Sequence, residues 1–255
     1  MKTFIIADIH GRYSALIEIF KKAGFNKKID RLIIIGDVVD GGPSSASVVE
    51  ELLEIEHRTF IYGNHDILFK EFIKSGHIDP AWISVGGRAT LRSYGYEILP
   101  PTNSIDEIEL MADGEIPDTH KEFFNSGAFY HLEDNILYVH GGLRPYIPLS
   151  SQTEHDLTWD RLMFSRWAPI SKISFMKGRE LYTPKHIFCG HTTTQLINNG
   201  TLPLTYNNVT NIDTGGGFDG KLTMMDITGF IKGNIKSVSS CRKYQSKKQV
   251  PGITV

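Results

Sequence analysis

Arg31–Pro43, RLIIIGDVVDGGP, is the stretch from which the fold of this chain can be inferred. Leu32–Ile35 form an unbroken apolar run, and such a run is typical of a strand that is buried on both faces. Gly36 ends the run, and two carboxylates follow it, Asp37 and Asp40. Carboxylates at the end of a buried strand are unfavourable unless a cation pairs with them. We therefore expect a metal ion or a protonated histidine beside these two side chains.

The same pattern occurs four more times along the chain. Each time a short apolar run is followed by residues that can bind a metal: Asp8 and His10, Asn64 and His65, His140, and His191. Because the carboxyl ends of strands in open α/β sheets meet at one crevice, we expect all these side chains to converge on one site with Asp37 and Asp40. The other histidines are expected to be structural or surface residues: His57, His77, His120, His131, His155 and His186.

The order of the remaining segments predicts the fold class. Strand patterns alternate with helical patterns at Tyr13–Ala23 and after Ser44 or Ser45, which indicates βαβ units and a partly parallel sheet. Strand patterns return from Asn135, and the later ones, up to Ile235–Ser239, are typical of antiparallel strands. We therefore predict an α/β (α+β) fold in a single domain, residues 1–255. Residues 67–129, here called the insert, have a mainly helical pattern and are predicted to form a cap over the strand ends.

Composition narrows the class of protein. The chain has 255 residues, 40% apolar and 22% charged, with a formal net charge of −2. This near-neutral balance argues against binding of a nucleic-acid polymer. Two cysteines without paired spacing argue against a disulfide framework or a thiolate zinc site. No apolar segment reaches about 18 residues, so we expect no membrane span and a cytoplasmic protein.

The donor atoms of the expected site point to a particular group of metals. Carboxylate and amide oxygens are mixed with imidazoles and no thiolate, which suits Mn²⁺ first, with Fe or Zn²⁺ as alternatives. Six such groups exceed what one catalytic ion with open positions needs. Two divalent ions about 3.5–4 Å apart, bridged by one carboxylate, account for the number. Asp37 lies centrally among the motifs and is our choice for the bridge.

Five motifs resemble those of the calcineurin-like metallophosphoesterases. They are DIHG (8–11), GDVVDGGP (36–43), GNHD (63–66), HGG (140–142) and GHT (190–192). Together with Trp159–Arg161 and Asn211–Gly215 they resemble most the phosphoprotein phosphatase branch, which includes bacterial and phage serine/threonine phosphatases and symmetric diadenosine tetraphosphatases. The resemblance implies a four-layer αββα sandwich of two mixed sheets, with a dinuclear metal site between the sheet ends.

The resemblance also implies a role for each site residue. The first metal ion would take Asp8, His10 and Asp37, and the second would take Asp37, Asn64, His140 and His191. His65 would be the general acid at the leaving-group oxygen, with Asp40 holding its imidazole. Arg161 would bind the phosphate oxygens together with Asn64 and His65. A hydroxide formed at the bridged metals would attack phosphorus in line.

The chain departs from the family pattern most clearly at Gly41. The family's GD-x-x-DRG motif carries an arginine there, and half of the expected guanidinium clamp is therefore missing. Arg12, Arg88 or Arg144 could supply the charge from another loop. The acid of GNHD is Asp66, where the protein phosphatases more often have Glu.

Three functions remain open at this point. The leading hypothesis is a metal-dependent phosphomonoesterase acting on phosphoserine or phosphothreonine in proteins and on small phosphate esters. The first alternative is hydrolysis of a dinucleoside polyphosphate such as diadenosine tetraphosphate. The second is an inactive relative that binds phosphorylated partners as a scaffold.

Overall fold

The computed structural model describes residues 1–98, 110–112, 114–217, 219–232 and 242–245. Within these ranges most strands belong to two five-stranded sheets. The strands are β1 (Thr3–Ile6), β2 (Arg31–Ile35), β3 (His57–Ile61), β4 (Glu97–Ile98), β5 (Leu110–Ala112), β6 (Tyr130–Glu133), β7 (Ile136–Val139), β8 (Phe175–Lys177), β9 (Glu180–Tyr182), β10 (His186–Cys189), β11 (Leu204–Tyr206), β12 (Val209–Asn211), β13 (Thr223–Asp226) and β14 (Arg242–Gln245).

Helices connect the strands and cover the sheets. They are α1 (Tyr13–Ala23), α2 (Ser45–Leu53), α3 (Asn64–Ser75), α4 (Pro80–Trp82), α5 (Arg88–Ser93), α6 (Asp118–Asn125), α7 (Glu154–Trp159), α8 (Thr194–Asn198) and α9 (Thr228–Ile231). Two π-helical segments, Ile83–Gly87 and Met163–Trp167, and a 3₁₀ turn, Leu149–Ser151, complete the set.

Both sheets are mixed, and each contains three parallel strands. The first has the order β14-β13-β1-β2-β3, and the second has the order β11-β12-β10-β7-β6. β1, β2 and β3 pair in parallel, as do β7, β10 and β12, whereas β13, β14, β6 and β11 pair antiparallel with their neighbours. The parallel strands of each sheet therefore end at the same edge.

Side-chain alternation along the strands produces the layers. Ile5, Ile33 and Ile35 pack against Tyr138 and Phe188 of the second sheet and form the core between the sheets. The neighbouring residues of β1 and β2 face the other way, toward α1 and α2. The opposite face of the second sheet packs against the α7 region. This arrangement confirms the predicted four-layer αββα sandwich of two mixed sheets.

The insert packs against the outer helical layer of the first sheet. Its Phe69, Trp82 and Phe123 belong to the same buried cluster as α1 and α2. The Phe123 ring stacks on Phe60 of β3, with a centroid distance of 4.4 Å. The insert is mainly helical in its described part and also contains the antiparallel strand pair β4–β5.

One predicted strand lies outside the described residues, and one strand of the structure was not predicted. The predicted strand Ile235–Ser239 lies outside the described residues. The polar stretch after Cys241 does not carry a strand pattern, yet Arg242–Gln245 forms β14 and pairs antiparallel with β13. Backbone pairing with an existing edge strand needs no apolar alternation, which explains why the pattern missed it.

None of the helices in the described ranges is long and apolar enough to span a membrane.

Burial of His186 leads to a prediction about acid stability. The ring is packed against Phe188 and Phe230, and its Nε2 lies 2.8 Å from Thr210 Oγ1. Burial, together with the nearby charge of Lys185, lowers the pKa of His186 to about 3. The unfolded chain takes up this proton below about pH 6.5 and the native state does not, so stability falls as pH drops from 6.5 toward 3. We expect His186 to remove about 2 kcal/mol of unfolding free energy between pH 7.5 and pH 5.

Urea unfolding of the wild type and of His186→Gln at both pH values measures this contribution. The glutamine variant should lose less stability on acidification than the wild type, by about that amount. His57→Gln, at an exposed position, is the control for histidine replacement. Equal pH dependence in the wild type and His186→Gln would contradict the prediction.

Candidate metal centre and active site

Five strand ends, three from the first sheet and two from the second, meet at one place. The loops after β1, β2 and β3 and those after β7 and β10 carry the predicted site residues. The structure brings together Asp8, His10, Asp37, Asp40, Asn64, His65, His140 and His191. All of them are buried except His65, which is partly exposed. The crevice therefore draws side chains from both sheets.

Asp37 is at the centre of this group. Its Oδ2 lies 3.6 Å from His10 Nε2 and 3.2 Å from His140 Nε2. Two sets of possible metal ligands contain it, one with His10 and His65 and the other with His140 and His191, and the donor atoms of each set lie within 4.8 Å of one another. A carboxylate shared by two such sets has the position that a bridging ligand requires.

Two histidines are oriented toward Asp37 by backbone carbonyls. His10 Nδ1 lies 3.1 Å from the Val39 carbonyl oxygen, and His140 Nδ1 lies 2.8 Å from that of Ile35. Each ring thus donates its Nδ1–H to the backbone and presents Nε2 to the crevice. Metal-binding histidines are commonly held in this way, because the second hydrogen bond sets the tautomer and the ring orientation.

The remaining predicted ligands lie around the same centre. Asn64 Oδ1 is 3.3 Å from His140 Nε2, and the backbone N–H of His191 donates to Asp8 at 3.1 Å. Asp8 belongs to neither of the two ligand sets whose donor atoms lie within 4.8 Å of one another. It is buried at the same place, with only 2% of its surface exposed. Burial, with the nearby Asp213 and Asp37 carboxylates, raises the pKa of Asp8 well above its usual value. A divalent cation in the crevice would offset this cost.

The protonation of two of the ligand imidazoles, His10 and His191, also suits metal binding. Burial lowers the pKa of His10, and burial together with the charge of His140 lowers that of His191 to about 3. Both rings are therefore neutral at pH 7, which is the form that binds a metal. Burial alone would raise the pKa of Asp37, but His140, His65 and His10 outweigh it and hold this carboxylate ionised.

His65, a member of the first ligand set, forms a hydrogen-bonded pair with Asp40. His65 Nδ1 lies 2.7 Å from Asp40 Oδ2, and Asp40 is fully buried. Burial opposes the charge on His65, but the carboxylates of Asp37 and Asp40 outweigh it and raise the pKa of His65 to about 9. The imidazole therefore holds a proton at neutral pH and can donate it from its other nitrogen.

Asp66 braces the loops that carry the ligands. Its carboxylate accepts backbone N–H groups of Asp37 at 2.8 Å, Val38 at 2.9 Å and Gly63 at 2.9 Å. These bonds tie the loop after β2 to the loop after β3. The aspartate at the fourth position of GNHD thus has a structural explanation in this chain.

Two of the arginines considered for phosphate binding, Arg161 and Arg12, contact the backbone of loops at the site. Arg161 is exposed beside His191 and donates to the His191 carbonyl oxygen at 2.8 Å. Arg12 donates to the Gly217 carbonyl oxygen at 3.0 Å, and its buried Nε has no partner among the described residues. That carbonyl lies 3.8 Å from the position of a Cβ on Gly41. Arg12 therefore reaches the loop beside the position where the family carries its arginine.

The other two arginines lie elsewhere. Arg88 donates to the Ile98 carbonyl oxygen within the insert, at 3.4 Å. Arg144 pairs with Asp156 at 3.0 Å, and its side chain is about half exposed. Neither contact involves a residue of the crevice.

Several site residues have a left-handed backbone conformation. The φ angles are 54° at Asp8, 48° at His10, 53° at Asp37, 70° at Asp40 and 67° at His191. Residues other than glycine adopt this region at a cost of about 1 kcal/mol or more each. Strain of this kind is concentrated at functional sites, because the surrounding structure holds side chains where chemistry requires them.

Two residues that contact this site were not identified from the sequence. Trp82 Nε1 donates to Asp40 at 2.9 Å, and Thr90 Oγ1 donates to Asp40 at 2.6 Å. Both belong to the insert, 40 to 50 positions from Asp40 in the chain. Thr90 lies in the GGRATL segment that begins at Gly86, which resembles a bacterial variant of the family's cap, but no pattern in the sequence connects Trp82 or Thr90 with Asp40.

Comparison with known proteins places the chain in a family. A family model described as calcineurin-like phosphoesterase matches residues 1–195. The chain therefore belongs to the calcineurin-like phosphoesterases, and this membership implies divalent metal ions.

The relatives that match this chain include proteins named as bis(5′-nucleosyl)-tetraphosphatases and one named as a serine/threonine-protein phosphatase. The symmetrical bis(5′-nucleosyl)-tetraphosphatase of Nitrosomonas europaea is 27% identical over 146 residues, which cover 57% of this chain and 46% of that protein. The asymmetrical bis(5′-nucleosyl)-tetraphosphatase PrpE of Bacillus cereus is 26% identical over 243 residues, covering 88% of this chain and 89% of that one. Serine/threonine-protein phosphatase 2 of Escherichia coli is 36% identical over 84 residues, covering 33% of this chain and 38% of that one. The chain thus matches less than half the length of the Nitrosomonas and Escherichia proteins.

Solved structures agree on the fold. One solved crystal structure superposes on this protein with a TM-score of 0.63, at 18% identity, and the match covers 96% of this chain and 93% of the solved one. A metallophosphoesterase from Sphaerobacter thermophilus superposes with a TM-score of 0.54 over 98% of this chain and 89% of that chain, at 14% identity.

Proposed function

We propose that this protein is a metal-dependent phosphomonoesterase that hydrolyses phosphoserine and phosphothreonine in proteins, and small phosphate esters in vitro. The observation that supports phosphoester hydrolysis is the His65–Asp40 pair, in which His65 belongs to one of the two ligand sets that share Asp37. A protonated imidazole beside a metal centre provides an acid for the leaving group where phosphorus is attacked. Family membership supports the same chemistry.

The donor set fits two divalent ions, Mn²⁺ first, with Fe or Zn²⁺ as alternatives. One ion would be held by Asp8, His10 and Asp37, and the other by Asp37, Asn64, His140 and His191. When bound, such ions lower the pKa of water and neutralise charge on the phosphoryl group.

Side chains of the protein would donate the proton, bind the phosphoryl oxygens and hold the ligand loops in place. His65 would protonate the leaving-group oxygen, while Asp40 holds its Nδ1 and fixes the direction of the ring. Arg161, at the rim beside His191, would bind phosphoryl oxygens together with Asn64 and His65, because a guanidinium matches their geometry. Asp66 would keep the two ligand loops in place.

Hydrolysis of a dinucleoside polyphosphate is the second candidate. The names of the Nitrosomonas and Bacillus relatives favour it. The two candidates differ in substrate and share the same site chemistry. A direct comparison of substrates therefore separates them.

We expect the purified chain with Mn²⁺ to hydrolyse a phosphothreonine peptide with a kcat/KM at least about 10-fold above that for diadenosine tetraphosphate. Chromatography of the nucleotide products and release of phosphate from the peptide measure the two rates. A clear preference for diadenosine tetraphosphate would make dinucleoside polyphosphate hydrolysis the first candidate and phosphoprotein hydrolysis the second. Less than about one metal ion per chain, with no turnover of either substrate under added Mn²⁺, would favour the inactive scaffold.

Arg12 is the best placed residue to supply the second half of the guanidinium clamp. A charge-assisted hydrogen bond to phosphate made equally in the ground and transition states affects binding rather than the chemical step. We therefore expect Arg12→Met to raise KM about 10-fold with little change in kcat. Arg144→Met, which removes a surface arginine, is the matched control and should leave both constants unchanged. An unchanged KM in Arg12→Met would exclude this role.

A further inference from the structure

We infer that Trp82 and Thr90 of the insert are positioning residues, which hold the Asp40 carboxylate so that His65 is aimed at the leaving group. The inference rests on the proposed function, in which His65 donates a proton. It assigns a task to the insert that differs from covering the strand ends. The insert would complete the hydrogen-bonding environment of the acid.

Asp40 receives donors on both of its oxygens. Oδ2 accepts His65 Nδ1 at 2.7 Å and Trp82 Nε1 at 2.9 Å, and Oδ1 accepts Thr90 Oγ1 at 2.6 Å. Asp40 and Thr90 are fully buried, and Trp82 is 1% exposed. Two of these three donors therefore come from the insert. A carboxylate held at both oxygens cannot rotate without breaking a buried hydrogen bond, which costs about 1–3 kcal/mol.

Thr90 also fixes the backbone of Asp40. Its Oγ1 accepts the Asp40 N–H at 2.8 Å while it donates to Oδ1, and Ser45 Oγ lies 3.1 Å away from it. Asp40 has a φ of 70°, a conformation that needs support from its surroundings. One threonine hydroxyl thus holds both the main chain and the side chain of the residue that orients His65.

Two glycines allow the insert to approach this closely. Gly86 has a φ of 124°, and a Cβ on it would lie 2.6 Å from the backbone nitrogen of Gly41. A Cβ on Gly87 would overlap the Trp82 ring. The backbone N–H of Gly41 donates to the Gly86 carbonyl oxygen at 3.4 Å. The turn at Gly86 therefore rests directly on the loop that carries Asp40, and any other residue there would force the two apart.

A structural role alone would also bury these residues, so the test needs a readout that only positioning of the acid would change. A weakened general acid slows substrates whose leaving group needs a proton more than substrates whose leaving group departs as an anion. Phenyl phosphate is of the first kind and 2,4-dinitrophenyl phosphate is of the second. The ratio of their kcat values therefore reports on His65 and is insensitive to a general loss of active enzyme.

We expect Thr90→Val to lower kcat for phenyl phosphate about 10-fold, and kcat for 2,4-dinitrophenyl phosphate less than about 2-fold, with KM and metal content close to those of the wild type. Thr90→Ser keeps the hydroxyl and should restore both rates to within about 2-fold of the wild type. Trp82→Phe keeps an aromatic ring without the N–H donor and should show the same selectivity, with a loss of about 3- to 5-fold on phenyl phosphate.

Ser93→Ala is the matched control in the same helix. Ser93 Oγ accepts the Ala46 N–H at 3.1 Å and donates to the backbone carbonyl oxygen of Thr90 at 2.7 Å, so it ties α5 to α2 without contacting Asp40 or the Thr90 hydroxyl. This variant should leave the ratio of the two rates unchanged. An equal loss on both phosphates in Thr90→Val and Trp82→Phe, or no loss, would overturn the inference while the proposed function stands. A wild type that hydrolyses neither phosphate with Mn²⁺ would overturn the proposed function, and the inference with it.

Discussion

The Asp37→Ala variant is expected to bind neither metal ion. Asp37 Oδ2 is the atom toward which His10 and His140 both direct Nε2, at 3.6 Å and 3.2 Å, and it belongs to both ligand sets. Removing this shared ligand takes an anionic donor from both sites at once, and it leaves the second site with only the neutral donors Asn64, His140 and His191. We expect metal content to fall from about two ions per chain to near zero, and turnover to be lost with it.

Metal analysis after dialysis against Mn²⁺, followed by an assay with a chromogenic phosphate, checks this expectation. Asp37 has a φ of 53°, a region that alanine tolerates poorly and asparagine tolerates well. Asp37→Asn therefore separates loss of charge from backbone strain and should also lose metal. Retention of two ions by both variants would refute Asp37 as the bridge.

The His65→Asn variant is expected to keep its fold and its metal and to lower kcat about 10²–10³-fold. His65 is partly exposed, lies 2.7 Å from Asp40 and has a pKa raised to about 9, so it can bring a proton to the leaving group at neutral pH. Asparagine is of similar size and retains a donor toward Asp40, but it cannot transfer a proton to the substrate. The loss should therefore fall on kcat rather than on KM.

Steady-state kinetics beside metal analysis measure both parts of this prediction. The exposed His77→Asn variant is the control and should have the kcat of the wild type. If His65→Asn turns over at the wild-type rate, His65 is not the general acid. If it loses its metal, His65 is a ligand, as its place in one of the two ligand sets also permits.

The sequence predicted the centre of the molecule well, because there the physical signal is local. Runs such as Leu32–Ile35 are apolar throughout, since both faces of the central strands are buried, and polar residues at their ends mark the crevice. The structure brings together the side chains that these ends carry. Edge elements were harder to predict, because β6 is only half-buried and β14 pairs through its backbone.

Contacts that cross long sequence distances were not predictable in the same way. Trp82 and Thr90 reach Asp40 from the insert, where no periodic pattern points to them. Arg12 reaches the Gly41 loop through the Gly217 carbonyl, a contact between residues 205 positions apart. Such contacts depend on how loops fold back onto the strand ends, and a single sequence carries no direct record of that.

The left-handed backbone at Asp8, His10, Asp37, Asp40 and His191 has an evolutionary consequence. At each of these positions glycine would relieve torsional strain. At Asp40 this gain would be offset, because the His65, Trp82 and Thr90 donors would lose their buried acceptor. At Asp8 asparagine would tolerate the backbone conformation, keep an acceptor for the His191 N–H and remove a buried charge beside Asp213 and Asp37. Selection for turnover must therefore act at Asp8 against a gain in stability of the metal-free protein, and relaxed selection would allow asparagine there.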